Sequence, residues 1–310
     1  MNRYIEKMEN QFPTRRKRGE KEAFRKWLCQ TLDALGYKAN IETNMGLVHF
    51  GDPLFNVTVG DVKTAKIILT AHYDTGAKNF FPEFYCPTRP LTYFLYQAIQ
   101  PILAIVLCFL LSFAINYPLR LPGLMFPLFL LFFFALLVYS KWGPSEKKNA
   151  NRSTSGVAAL LETAEKISPR YRGEVAFAFL DGSQGKRGAK TYRKRYPEAR
   201  EKTVIHLVCV GCGEEILILP GKYARWDGIL LDAVNENFYN TERKTCFLKA
   251  DGLTLYPSDN RAFKYATVIC ACHKINGFGR IVKQDCAEID DENLSILSDG
   301  LAKTVAAYHK

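Results

Sequence analysis

An apolar tract constrains this chain more than any other feature. Between residues 91 and 140 the only charged residue is Arg120. The stretch on each side of Arg120 is long enough, at roughly 20 residues or more, to cross a bilayer as a helix. The alternative is a helical hairpin buried in a soluble core. Neither stretch has the polar face of a soluble helix, so the pattern favours a transmembrane hairpin over 91–140.

Basic residues flank this tract, and the connection between its two halves carries only one. Arg89 precedes the first half, and Lys141, Lys147, Lys148 and Arg152 follow the second. By the positive-inside rule, both soluble portions are expected to face the cytoplasm, with the short connection outside. The N-terminal residues lack the apolar segment of a signal peptide, so no cleaved leader is expected.

The remaining sequence has the pattern of one α/β domain in two parts. The chain has 310 residues, of which 48% are hydrophobic, and this is ample for a large core. Short apolar strands alternate with helical segments, which indicates a mixed or parallel sheet with helices on both faces. We therefore predict a domain made of segments 1–90 and 141–310, interrupted by the membrane hairpin at 91–140.

The formal net charge of +11 suits a protein at an anionic membrane surface. The basic run at 15–18, with Lys21 and Arg25 after it, is expected to lie against lipid headgroups. A solvated basic face is the alternative there, and the preferred interpretation for the cluster at 193–195. No recognised nucleic-acid-binding motif accompanies the charge, so nucleic acid is not an expected partner.

Nine cysteines are scattered along the chain without a paired framework. In a chain expected to face the cytoplasm, this pattern predicts reduced and mostly buried thiols. The C-x-x-C at 209–212 has no second copy. A zinc or redox role is therefore not the preferred interpretation for it.

A pair of metal-ligand residues follows the apolar strand at 67–71. His72 and Asp74 present an imidazole and a carboxylate at the end of this strand. Ligands of α/β sheets collect at the carboxyl ends of strands, where Asp181 and the segment around Val208 are also predicted to lie. Two ligands do not hold a catalytic zinc, so other segments would have to supply the rest.

Five ordered motifs make the chain resemble metallopeptidase family twenty-eight, the co-catalytic zinc aminopeptidases and carboxypeptidases related to glutaminyl cyclases. The motifs are A-H-Y-D-T at 71–75, N-A-N-R-S-T-S-G-V at 149–157, F-L-D-G-S-Q-G at 179–185, H-L-V-C-V-G at 206–211, and S-D-N-R-A-F at 258–263 together with the region 279–290. The resemblance runs from about residue 56 to the C-terminus. It implies a zinc-exopeptidase-like three-layer sandwich with a mixed central sheet.

Compared with the family pattern, one zinc ligand is kept and the others are replaced. His72 matches a ligand, and Asp74 matches the carboxylate that orients it. The replaced positions are Arg152 for the aspartate that bridges both zincs, Ser183 for the glutamate that is the general base, Gln184 for a glutamate ligand, Val208 for an aspartate ligand and Ile281 for a histidine ligand. His273, near Ile281, is expected to be structural. A guanidinium repels zinc, and a serine is a poor acceptor for a water proton.

These replacements argue against hydrolysis by two zincs and against glutaminyl cyclisation. The leading hypothesis is a membrane-anchored pseudopeptidase that contacts membrane lipids, needs no cofactor, and binds a peptide or protein in the former substrate cleft. A plain membrane scaffold is a further alternative. We also expect Arg152 to neutralise Asp74 by a bidentate contact.

The enzyme alternative is a membrane-tethered metallo-aminopeptidase that hydrolyses N-terminal residues of peptides. It would bind zinc in a site rebuilt from His72 and Asp74. Three residues are possible substitutes for the lost ligands, namely Asp181, His206 and Cys209.

Overall fold

A computed structural model describes residues 2–44, 53–78, 80–120, 122–147, 149–183, 186–275, 277 and 279–308. Its strands are β1 (Ala39–Asn44), β2 (Leu54–Val59), β3 (Ile67–His72), β4 (Phe84–Tyr85), β5 (Val175–Leu180), β6 (Thr203–Leu207), β7 (Glu215–Pro220), β8 (Thr245–Leu248), β9 (Tyr265–Ile275) and β10 (Gly279–Lys283). Its helices are α1 (Arg3–Gln11), α2 (Arg18–Ala34), α3 (Pro90–Leu119), α4 (Met125–Trp142), α5 (Ser155–Lys166), α6 (Arg187–Arg195), α7 (Gly228–Asn237) and α8 (Asp291–Ala307). Residues 47–50, where the apolar pattern of the sequence also predicts a short strand, lie outside the described residues.

The described strands form one mixed sheet, as the sequence pattern predicts. The order is β1-β2-β5-β3-β6-β9-β10-β4, with β7 paired to β9 and β8 to β7. The strands on both sides of the apolar tract therefore belong to the same sheet. The four central strands β5, β3, β6 and β9 are parallel to one another. The flanking strands β2 and β10 are antiparallel to β5 and β9. Since β3 ends at His72, β5 at Leu180 and β6 at Leu207, all three carboxyl ends lie at one edge of the sheet.

Helices cover both faces of this sheet, and alternate residues of β5 show it. Phe177 and Phe179 pack in the core cluster that contains residues of α5 and α8. Ala178 and Leu180 pack in the opposite cluster with Tyr192 of α6. Each central strand is buried on both faces, which explains why β3 and β5 are continuous apolar runs in the sequence.

A close approach at Gly156 brings the start of α5 against the sheet. A Cβ atom at this position would lie 3.0 Å from the carbonyl oxygen of Leu207 and 3.2 Å from the Cβ of Ala71. Glycine lets the helix begin directly over the ends of β3 and β6. The preceding turn, which carries Arg152, is thereby held beside His72.

The apolar tract forms a pair of contacting helices, α3 and α4. Helix α3 is long and apolar enough to cross a membrane, with a mean hydropathy of 2.5 and 17% of its most apolar window buried. The apolar part of helix α4, Met125–Ser140, is shorter than the stretch that a membrane-spanning helix usually needs. Large apolar side chains of both helices are exposed, including Leu110 and Leu131. One span is supported by length and composition, and the second span stays a prediction.

The structure pairs two of the cysteines that the sequence pattern predicts to be reduced. Cys212 and Cys286 form a disulfide that joins positions 74 residues apart. The segment carrying Cys286 is brought to the end of β6 by hydrogen bonds from Asn151 N to Cys286 O and from Asp290 N to Gly211 O. Such a long separation leaves no spacing signal in the sequence. The other described cysteines are free and mostly buried.

Candidate metal centre and cleft

His72 ends β3 in a fully enclosed environment. Its side chain is 5% exposed. Among the described residues neither ring nitrogen makes a hydrogen bond of ordinary geometry, although the backbone of Arg152 lies near enough to one of them to act on its pKa. Burial holds the pKa of His72 well below its usual value, and the nearby His206, Arg152 and Arg15 lower it further. The ring is therefore neutral at physiological pH, and its nitrogens can serve as ligands.

Asp74 is bound by Ser183. The Ser183 amide donates to both carboxylate oxygens at 3.0 and 3.1 Å, and its hydroxyl donates to one of them at 3.1 Å. Ser183 stands at the position of the general base in the resembling family, and here its hydroxyl is engaged on a carboxylate. Burial raises the pKa of Asp74, although Lys21 opposes the shift. Asp74 has no hydrogen bond to His72 among the described contacts, so the orienting role expected for it is not present.

Arg152 lies in a short π-helical turn at Ala150–Thr154 and pairs with Glu83. The expected bidentate contact with Asp74 is wrong, because Glu83 provides the carboxylate. Glu83 directly precedes β4, and the pairing of β4 with β10 brings it to the site. Burial is the largest influence and works to lower the pKa of Arg152, but attraction to Glu83, together with Tyr85, Cys209 and Asp74, leaves the pKa raised. The cation at the zinc-bridging position is thus neutralised by an acid that the sequence motifs did not reveal.

Two of the proposed substitute ligands are otherwise engaged. Asp181 is bound by the Lys21 ammonium and by the amides of Gly182 and Phe55. Cys209 packs in an apolar cluster with its neighbour Val208 and with residues of β7 and β9. Burial in this cluster raises the pKa of the Cys209 thiol to about 12. A thiol with this pKa is a poor metal ligand at neutral pH.

The other replaced positions also lack ligand atoms at the centre. Ile281 is buried in β10 opposite His273. His273 contacts Glu214 at 2.6 Å and Cys212 at 3.4 Å, away from His72. Gln184 lies outside the described residues. The described residues at the family's zinc positions therefore do not fit a two-zinc centre.

His206 comes from the neighbouring strand and reaches the same space as His72. In the β3–β6 register, His206 is opposite Thr70, two residues before His72 on the same face of the sheet. Its Nδ1 lies 2.9 Å from the Thr70 hydroxyl and its Nε2 lies 3.1 Å from the Ser258 hydroxyl. The rings of His72 and His206 are 6.2 Å apart. Burial lowers the pKa of His206 to about 3.

Asp259 completes the group. It belongs to the S-D-N-R-A-F motif, but the sequence alone assigned it no role. It begins a short 3-10 helix at Asp259–Ala262 that contacts β6, β9 and α6. Its side chain is 2% exposed, and neither carboxylate oxygen has a hydrogen-bond partner among the described residues. Burial, followed by repulsion from Asp74, raises its pKa to about 8. One ligand atom of each of His72, His206 and Asp259 lies within 4.8 Å of the other two.

A cleft of about 610 Å³ opens beside Arg152. Its walls come from the loop before β4, the segment after α4 and the segment after β10. Phe80 and Phe81 contribute an apolar wall, and Glu83 and Asp285 contribute carboxylates. The cleft adjoins Arg152, the residue that the motif resemblance aligns with the zinc-bridging aspartate.

The N-terminal basic run does not lie on the surface as a unit. Arg15 is fully buried, and its guanidinium donates to the carbonyl of Tyr73 at 2.6 Å and to the hydroxyl of Thr154 at 2.9 Å. Burial lowers its pKa to about 10, opposed by attraction to Asp74. The expectation that Arg15 contacts lipid headgroups is therefore wrong, because it ties the N-terminal segment to the site.

Comparisons with known proteins identify the fold. No protein-family model and no curated protein sequence matches the chain. A glutaminyl cyclase from Porphyromonas gingivalis matches with a TM-score of 0.56 and 16% identity over 98% of this chain and 95% of that one. A Zn-dependent exopeptidase from Parabacteroides distasonis matches with a TM-score of 0.58 and 14% identity over 99% and 96%. A leucine aminopeptidase precursor from Bacteroides thetaiotaomicron matches with a TM-score of 0.52 and 16% identity over 99% and 95%.

The chain therefore has a zinc-exopeptidase-like α/β fold shared with glutaminyl cyclases. At these identities the likeness carries the fold alone. Membership of metallopeptidase family twenty-eight stays a prediction from the motifs.

Proposed function

We propose that this protein is a membrane-anchored, catalytically inactive relative of the zinc exopeptidases that binds a peptide in the former substrate cleft. The observation that carries the proposal is the Arg152–Glu83 ion pair at the position of the bridging zinc ligand. A cation already paired with a carboxylate fills the place where two metals would clamp a water molecule. Ser183, at the position of the base, is engaged on Asp74.

The enzyme alternative has less support. An aminopeptidase needs a base that accepts the proton of the attacking water. Two carboxylates near the centre are bound by protein donors, Asp74 by Ser183 and Asp181 by Lys21. A third, Asp259, has no such donor among the described residues, but burial raises its pKa to about 8 and so disfavours the ionised form that a base needs. The alternative therefore has a scaffold and a retained histidine, but none of these three carboxylates is both ionised and free.

The cleft supports binding of a peptide with a free N-terminus. Phe80 is 56% exposed at the wall, and Asp285 is exposed beside it. An aromatic wall accepts an apolar side chain, and a carboxylate attracts an α-ammonium group.

Anchoring by α3, with α4 as a second span, is part of the proposal. The apolar side chains on both helices are exposed, and a bilayer would cover them. The basic flanks favour a domain facing the cytoplasm. The Cys212–Cys286 disulfide, by contrast, is typical of oxidising compartments, so its state in cells tests the orientation independently.

The activity arm of the test uses the full chain in lipid nanodiscs. We expect no hydrolysis of aminoacyl substrates and no cyclisation of N-terminal glutamine, with or without added zinc, cobalt or manganese. A glutaminyl cyclase and an aminopeptidase of known activity are the positive controls. Turnover that His72→Ala abolishes would overturn the proposal.

The binding arm uses fluorescent peptides with free or acetylated N-termini. We expect Phe80→Ala to weaken binding by about tenfold, because an aromatic anchor is lost. Trp226→Ala is the matched control, since Trp226 is an aromatic residue that is 83% exposed and does not line the cleft. Equal affinity for free and acetylated peptides, or equal effects of the two substitutions, would contradict this mode of binding.

A further inference from the structure

We propose that His72, His206 and Asp259 form a site for a single divalent metal ion of the zinc class. Only His72 is shared with the ligand positions of the resembling family. The other two ligands come from the middle of β6 and from the short 3-10 helix at Asp259–Ala262. The site is thus a different metal centre on the same fold.

The unpartnered atoms are the first argument. Both nitrogens of His72 and both oxygens of Asp259 are buried and lack hydrogen-bond partners among the described residues. Buried polar atoms in native proteins are nearly always paired. A single metal ion beside the second imidazole would take one nitrogen of His72 and one or both oxygens of Asp259, and the Arg152 backbone lies near the His72 ring as well.

The hydrogen bonds of His206 place its proton on Nδ1 and leave the lone pair of Nε2 for a metal. The Thr70 hydroxyl lies 3.5 Å from the carbonyl oxygen of Ile205, to which it donates, so its oxygen accepts from the Nδ1–H of His206. Nε2 then carries the lone pair and accepts from the Ser258 hydroxyl. A metal would replace that hydroxyl at Nε2. The Nδ1–H···O contact would fix the ring, as in most metal-binding histidines.

The surrounding charges also permit a cation. Of the two arginines that act on His72, Arg152 is paired with Glu83, and Arg15 donates to the carbonyl of Tyr73 and the hydroxyl of Thr154. Lys186 attracts Asp259 at longer range without a hydrogen bond to either oxygen. Asp74 adds a second negative charge near Asp259.

Two imidazoles and one carboxylate favour zinc among common metals. Bonds of about 2.0–2.1 Å in a tetrahedron place ligand atoms about 3.3 Å apart. The three ligand atoms now lie within 4.8 Å of one another. Side-chain rotations that move each atom by about 1 Å would bring them to the distances of a tetrahedral site. The ion would join β3, β6 and the turn at Asp259. Because no base is positioned there, its expected role is to hold these elements together.

The test measures metal binding by the full chain, purified in detergent without chelator. Elemental analysis is expected to find about one zinc per chain. After chelation, zinc at about 100 times its Kd is expected to raise the Tm by on the order of 5 °C. Cobalt is expected to give the absorption spectrum of a tetrahedral N₂O site.

Matched variants localise the site. His206→Gln and Asp259→Asn are expected to weaken zinc affinity by about tenfold or more. His273→Gln is the control, because His273 lies at Glu214 and outside the group. Equal zinc binding by His206→Gln and His273→Gln would overturn the site.

The wild-type spectrum keeps the proposal testable if a variant fails to fold. Absence of zinc-dependent stabilisation, or a cobalt spectrum without histidine ligation, overturns it directly. A preference for magnesium over zinc also overturns it. None of these outcomes touches the proposed loss of peptidase activity, which depends on turnover measurements.

Discussion

Ser183 and Glu83 show how single residues satisfy the buried charges around His72. Ser183 gives Asp74 two donors, and Glu83 gives Arg152 a carboxylate. Lys21 binds Asp181 in the same way. A buried charge without a partner is costly, so each of these contacts compensates for a buried charge.

The Arg152–Glu83 pair leads to a first prediction. Glu83→Gln is expected to lower the free energy of unfolding by about 2 kcal/mol, because the largely buried Arg152 loses its counter-charge. Chemical denaturation in detergent measures the change. Glu22→Gln is the matched control at an exposed helical pair with Lys26, where no measurable change is expected. Equal destabilisation by both substitutions would contradict a structural role for the Arg152 pair.

Among the elements, the parallel strands β3, β5 and β6 decide where the chemistry lies. Their continuous apolar runs predict buried strands, and parallel pairing then places their carboxyl ends at one edge. His72 and Asp181 could be assigned to this edge from the sequence. Asp259 could not, because it lies in a turn whose contact with β6 depends on long-range packing.

The start of α8 gives a pH-dependent prediction. Burial works to raise the pKa of Asp290, but hydrogen bonds from Lys244 and from the Glu292 amide outweigh it, so the pKa is lowered. A lowered carboxyl pKa stabilises the fold above the unfolded-state pKa, and this stability is lost as pH falls through the folded-state pKa. Asp290→Asn is therefore expected to cost about 1–2 kcal/mol at neutral pH and almost nothing in strong acid.

Unfolding free energies measured across the acid range test this. Asp232→Asn is the control, since Asp232 is exposed on α7, and its substitution is expected to have no measurable effect at any pH. A cost of Asp290→Asn that stays constant down to strong acid would show that the ion pair with Lys244 is not its origin.

For the whole molecule, we expect the apolar helices α3 and α4 to determine where the protein resides. Leu110 and Leu131 are exposed on these helices, whereas Leu253 is exposed in a loop of the other part of the chain. Leu110→Lys is expected to cost about 2.5–3.5 kcal/mol of membrane insertion and to release protein on alkaline carbonate extraction. Leu253→Lys is the control and is expected to leave extraction unchanged.

The second span has its own readout in the same assay. Leu131→Lys is expected to weaken membrane integration as Leu110→Lys does, because both helices are predicted to cross the bilayer. An effect of Leu110→Lys alone would leave α3 as the single span, and an effect of neither would remove the membrane anchor from the proposal.

The disulfide provides a further prediction at this scale. If the domain faces the cytoplasm, rapid alkylation in cells followed by intact mass is expected to find Cys212 and Cys286 reduced, since cytosolic thiols are kept reduced. The purified protein in air is expected to be oxidised. A disulfide already complete in cells would contradict the cytoplasmic orientation.

The sequence by itself determined the apolar tract, the buried central strands and the changed residues at the family's zinc positions. These features depend on local composition and spacing, which short segments carry in full. The mixed α/β fold follows from them and agrees with the structure.

The tertiary structure decided which side chains meet. Glu83 reaches Arg152, Cys286 reaches Cys212, and Asp259 reaches His72 and His206, each across a long stretch of chain. Such contacts arise from the packing of helices and loops around the sheet, and no local pattern encodes them. The histidine of the A-H-Y-D-T motif thus belongs, in the folded protein, to a group of three possible ligands that the sequence did not bring together.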